Sequence, residues 1–130
     1  MKQALRTLLA TSFLCGHGSI VQAHHSYAAT YFPDRSVTID GTLAVFMYRN
    51  PHSVIQVLVV AKDGSEQRWA CEWAGTLTLD HSGVNSHTLK PGDHLIISGM
   101  PARNEQDHRL LVQSIERPAD QWRWSGDSTK

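Results

Sequence analysis

From Ser36 onward, apolar and polar side chains alternate with a period of two, and turn residues punctuate the runs. The stretch SVTIDGTLAVFMYRN (36–50) puts Val37, Ile39, Gly41, Leu43, Val45 and Met47 on one face. A glycine inside such a run predicts a bulge or bend at Gly41, where a strand curls round a small barrel. NPHSVIQVLVVA (50–61) carries a proline near its start, which cannot donate to a ladder, and then a β-branched run from Val54 to Ala61. KDGS (62–65) is an Asp-Gly hairpin signal, and EQRWACEWA (66–74) is the returning strand. There Trp69, Cys71 and Trp73 alternate against Ala70 and Glu72.

The alternation then breaks. AGTLTLDHSGVNSHTLKPGD (74–93) has room for about two helical turns near Thr76–His81, stopped by Gly83, and a turn centred on Pro91 and Gly92. HLIISGM (94–100) and RLLVQSIERP (109–118) are two further strands around the loop PARNEQDH. Three meandering strands, one short helix and two more strands predict an all-β fold, the five-stranded OB-like barrel, with its helix between the third and fourth strands. The barrel domain is expected over 24–118, with a polar C-terminal tail over 119–130.

The first 23 residues read as a secretory leader. Lys2 and Arg6 form its basic part, Leu8 to Cys15 a short apolar part, and Val21-Gln22-Ala23 the cleavage signal. The apolar part is shorter than the ~20 residues of a membrane span, so a periplasmic or secreted protein without a stable membrane anchor is expected. Cleavage after Ala23 would leave 107 of the 130 residues, with 10 basic against 12 acidic side chains and a net charge of −2. Nucleic-acid binding needs clustered positive charge, so no nucleic-acid partner is expected. Cys71 would then have no cysteine to pair with, and its strand position suggests a buried, inert thiol.

AHHSYAATYFPDRSVTIDGTL, the NPH triplet, Trp69 with Glu72 three residues on, and LKPGD together resemble a family of small exported bacterial proteins catalogued as a domain of unknown function. The similarity runs from about Ala23 to Arg117, and its most specific points are the double histidine and Asn50-Pro51-His52. The resemblance implies an OB-like fold; the family being uncharacterised, it supplies no activity to expect. The chain departs from the family pattern after Glu72, where WAGTLTLDHSGVNSHT lacks a Leu-Leu-Arg-rich helix.

Cleavage at Ala23 would expose His24 as the terminal residue, with His25 beside it. An α-amino group and an imidazole on one residue can chelate one ion, the histidine brace of copper proteins. A further imidazole from His52 or His25 would complete a nitrogen set suited to copper. The competing reading of His24 and His25 is a solvated terminus. His52 is either a site residue or a loop-shaping imidazole; a tight hairpin brings it to the same rim as Glu72. Glu72 could ligate a metal, orient an imidazole or act as acid or base, or be a solvated edge charge. Trp69 and Trp73, with Asn50, could form a face for a ligand or partner, though packing across the hairpin also explains the tryptophans. His81 and His87 match no compact metal pair, and His94 and His108 are expected to be exposed.

No catalytic signature is found, neither G-x-S-x-G, P-loop nor H-E-x-x-H. The expectation is a non-enzymatic binding module that takes copper or another transition metal through His24, His25 and His52 with Glu72. The alternatives are a metal-independent OB module docking a periplasmic protein partner or small ligand, and a copper-dependent redox enzyme built on the same brace. Ligand, partner and oligomeric state are left open.

Overall fold

The computed structural model describes the backbone of residues 23–126 and the side chains from Tyr27 onward. In chain order the elements are α1 (Ala23–Thr30), β1 (Val37–Met47), β2 (Val54–Val60), β3 (Glu66–Glu72), α2 (Thr76–His81), β4 (His94–Pro101), a 3-10 turn (Glu105–Asp107), β5 (Arg109–Arg117) and β6 (Trp122–Ser125). The segment expected to be a leader, residues 1–23, lies outside the described residues except for Ala23. No helix among those described is long and apolar enough to cross a membrane.

β1 is long because it serves two neighbours. Its first half pairs with β4, from Val37 opposite Gly99 to Thr42 opposite His94, and its second half pairs with β2. The parallel pairing of β3 with β5, from Ala70 opposite Arg109 to Glu72 opposite Leu111, closes the barrel. The ring is therefore β1-β2-β3-β5-β4, an OB barrel with α2 between the third and fourth strands, as the strand pattern predicts.

Gly41 sits where β1 changes partners. A Cβ there would lie 2.4 Å from the Leu58 carbonyl oxygen and 2.6 Å from Val57 Cγ1, so Gly41 marks a close approach of strands. The bulge itself lies between Leu43 and Val45. One extra residue exchanges the two faces of a strand. Ile39 and Leu43 accordingly point into the core, whereas Val45 is exposed and Phe46 packs inward. The single face expected through Val45 and Met47 is corrected at this slip.

The core is filled by Leu43, Ile55, Val57, Cys71, Leu95, Ile97, Leu110 and Ile115 from the strands. Leu79 of α2 and Val84 and Leu89 of the following loop plug one end. Each of these valine, leucine and isoleucine side chains contributes roughly 1.5–3 kcal/mol on burial. Two elements lie outside the expected pattern. α1 belongs to no hydrophobic stripe and is held by tertiary contacts. β6 occupies the segment expected to be a polar tail and pairs with β5, from Ser114 opposite Ser125 to Arg117 opposite Trp122. Its Trp122 and Trp124 pack against the core, which gives this short polar strand an apolar anchor.

Candidate functional site

The site is built on the loop between β1 and β2. Asn50 Oδ1 accepts from the Thr76 backbone N–H at 3.0 Å and from the Thr76 hydroxyl at 3.1 Å, capping α2 from a distant loop. The Asn50–Pro51 peptide is cis. Gly75 lies against this loop, where a Cβ would come within 2.6 Å of the Pro51 carbonyl oxygen. Ser53 is fully buried; its hydroxyl bonds the Arg49 backbone at both N–H and carbonyl, and its own backbone pairs with Trp73 and Ala74. These contacts on either side fix where His52 stands.

Val54 pairs with Glu72 across β2 and β3, so the residues just before Val54 share a rim with the end of β3. His52 Nδ1 lies 2.7 Å from Glu72 Oε1. A carboxylate can only accept, so Nδ1 carries a proton and donates it. In the neutral ring Nε2 is then an acceptor, and it faces the Tyr27 hydroxyl, which donates to it. The second carboxylate oxygen, Oε2, accepts from Tyr31 Oη at 2.5 Å and from Arg109 at 3.4 Å. Arg109 also donates to Tyr31 Oη at 3.3 Å. The result is a chain of contacts running Tyr27, His52, Glu72, Tyr31 and Arg109 across four parts of the fold.

Tyr27 and Tyr31 are four residues apart in and just after α1, so they project from one side of it. Tyr31 is buried, and its phenol is raised well above the usual range, first by burial and then by the hydrogen bond and charge of Glu72. Tyr27 is shifted in the same direction by burial and by the Glu72 charge. The helix is stitched down by a bridge between Tyr31 and Ala102, and by Arg103, which bonds the carbonyls of Thr30 and Ala28.

Residues 13–111 match the profile of a family described as a family of unknown function, DUF6152. The chain belongs to that family. No curated protein matches it. Among solved structures it is similar to the mitochondrial single-stranded DNA binding protein Rim1 of S. cerevisiae, at 9% identity over 63% of this chain and 92% of that one, with a TM-score of 0.47. It is also similar to a chain of the S. pombe Stn1–Ten1 complex, at 23% identity over 70% of this chain and 65% of that one, with a TM-score of 0.48. A small single-stranded DNA-binding protein from Streptomyces coelicolor matches at 16% identity over 64% and 90% of the two chains, with a TM-score of 0.40.

In this DUF6152 member the expected site residues separate into groups. His52 and Glu72 come together. The side chains of His24 and His25 lie outside the described residues, although both positions fall in the first turn of α1. Asn50 stands beside them in a structural part, as the cap of α2. Trp73 is 1% exposed and packs edge-on against Trp124 with ring centres 4.9 Å apart, so it presents no face to a ligand. Trp69 is half-buried and packs against His108 at 5.3 Å, which also covers a histidine expected to be exposed. Arg109 escapes the sequence reading, and Tyr27 and Tyr31 enter it only as aromatic content that favours packing this segment onto the barrel, not as site residues. The four-residue spacing of the tyrosines, which would put them on one side, carries meaning only once a helix is known there.

Proposed function

We propose that this chain is an exported, non-enzymatic binding module that holds a transition-metal ion, copper foremost, at His52. His24 and His25 supply the remaining nitrogens once the leader is removed. The contact between Glu72 and His52 carries this reading. A carboxylate that holds Nδ1–H leaves Nε2 as the basic atom of the ring, and metal-binding histidines are oriented in this way. Nε2 faces α1, and His24 falls three residues ahead of Tyr27 in that helix. On binding, the Tyr27 hydroxyl yields Nε2 to the ion, while Glu72 keeps the ring in place. Both halves of the ligand set are needed, since among the described residues no three His, Cys, Asp or Glu side chains gather at one point.

The test is calorimetric titration of copper into protein beginning at His24, beside a form bearing one extra N-terminal residue. One ion per chain with a Kd on the order of 1 µM or tighter, lost in the extended form and in His52→Ala, supports the reading. Glu72→Gln should retain the fold and bind about 10–100-fold more weakly. Equal, weak binding by the processed and extended forms would sink the metal site.

A further inference from the structure

Beside His52 a cleft of about 390 Å³ opens on the outer face of β2, β3 and β5. Arg49, His52, Val54, Ala70, Glu72 and Arg109 line it. The strand register explains why they meet: Val54 pairs with Glu72, and Ala70 pairs with Arg109 across the parallel closure, while Arg49 reaches in from the loop above. The volume lies at the small end of ligand clefts, roughly 300–1,000 Å³.

The two guanidinium groups are not consumed by the fold. Arg49 takes part in hydrogen bonds through its backbone, and its side chain has no bonded partner among the described residues. Arg109 reaches Glu72 and Tyr31 through one nitrogen only, at 3.4 and 3.3 Å, which are long for charge-assisted bonds. Its other nitrogens have no bonded partner among the described residues. Glu72 directs both oxygens elsewhere, one to His52 and the other to Tyr31 and Arg109. Apart from the imidazole, two arginines and one carboxylate leave a formal charge of +1 in the cleft.

We propose that this cleft binds a small organic monocarboxylate, with its carboxylate between Arg49 and Arg109 and its apolar body against Val54 and Ala70. Guanidinium forks match carboxylate geometry in two-pronged bonds. One negative charge neutralises the cleft, whereas a dianion would leave uncompensated charge next to Glu72. The apolar floor has nothing to offer an inorganic ion. The inference shares His52 and Glu72 with the metal site but does not depend on a metal.

Amide NMR titration of the protein in the presence of a chelator separates the two ideas. Benzoate is the probe, benzyl alcohol the uncharged match of its body, and inorganic phosphate the dianionic control. Saturable benzoate shifts at residues 49–54, 70–72 and 109, with a Kd on the order of 1 mM, are expected. Arg49→Ala, at an exposed position, should keep the fold and weaken benzoate about tenfold; Arg49→Lys should recover only part of this, because an ammonium lacks the fork. Benzyl alcohol binding as well as benzoate, phosphate binding more tightly, or benzoate shifts unaffected by Arg49→Ala would each overturn the proposal. Failure of copper binding leaves it standing, because the titration is metal-free.

Discussion

At the residue scale, Glu72 is the hinge of the site: it accepts from His52 on one oxygen and from Tyr31 and Arg109 on the other. Tyr31→Phe removes the closest of these donors to Oε2 from a buried position and should cost about 1–3 kcal/mol in urea denaturation at neutral pH. The effect has a defined pH window. Folding raises the Tyr31 phenol above its unfolded value near ~10. The unfolded chain therefore releases this proton first as pH climbs, and Tyr31's contribution is complete below pH ~10 and fades above it. Stability of the parent protein should fall more steeply than that of Tyr31→Phe between about pH 10 and 11. Parallel curves for the two proteins would contradict the assignment. The pairing of His52 with Glu72 was partly legible, because a hairpin at KDGS obliges the start of one strand to meet the end of the next. Tyr31 and Arg109 were not, since they lie 41 and 37 residues from Glu72, and nothing local in the sequence joins them.

At the element scale, the NPH loop and α2 are built as one piece. Asn50 caps the helix, and Gly75 lets the Pro51 carbonyl approach its first turn. Gly75→Ala would put a methyl group 2.6 Å from that carbonyl oxygen and 3.0 Å from Asn50 Oδ1. Backbone on one side or the other must retreat, at a cost of about 1–3 kcal/mol. A lowered thermal midpoint together with shifted amide signals at residues 50–53 is the expected result; an unchanged midpoint would show that the contact is slack. Strand identities were readable because period-two patterning is a local property. The slip between Leu43 and Val45 was not, because it is set by how β1 passes from β4 to β2. The β6 strand escaped for a related reason: Trp122 and Trp124 have no alternating run around them, and only the exposed edge of β5 gives them a place to pair.

At the scale of the whole molecule, the closed barrel seals Cys71 inside. It is 0% exposed, and burial pushes its thiol up to about 12. Thiolate is the reactive form, so iodoacetamide at pH ~8 should leave Cys71 unlabelled in the native protein and modify it only as the barrel opens. The labelling midpoint in urea should coincide with that of tryptophan fluorescence. Labelling well before that midpoint would mean that β3 separates from β5 without global unfolding. The sequence alone determined the barrel class, the short helix at Thr76–His81 and the inert cysteine, because hydrophobic alternation, turn residues and strand order are written in neighbouring positions. Tertiary structure decided that α1 lies against the rim, that Trp73 faces inward, and that Tyr27, Tyr31 and Arg109 surround His52 and Glu72. Those outcomes depend on barrel closure, which brings residues far apart in the chain into hydrogen-bond distance, and no local pattern encodes that meeting.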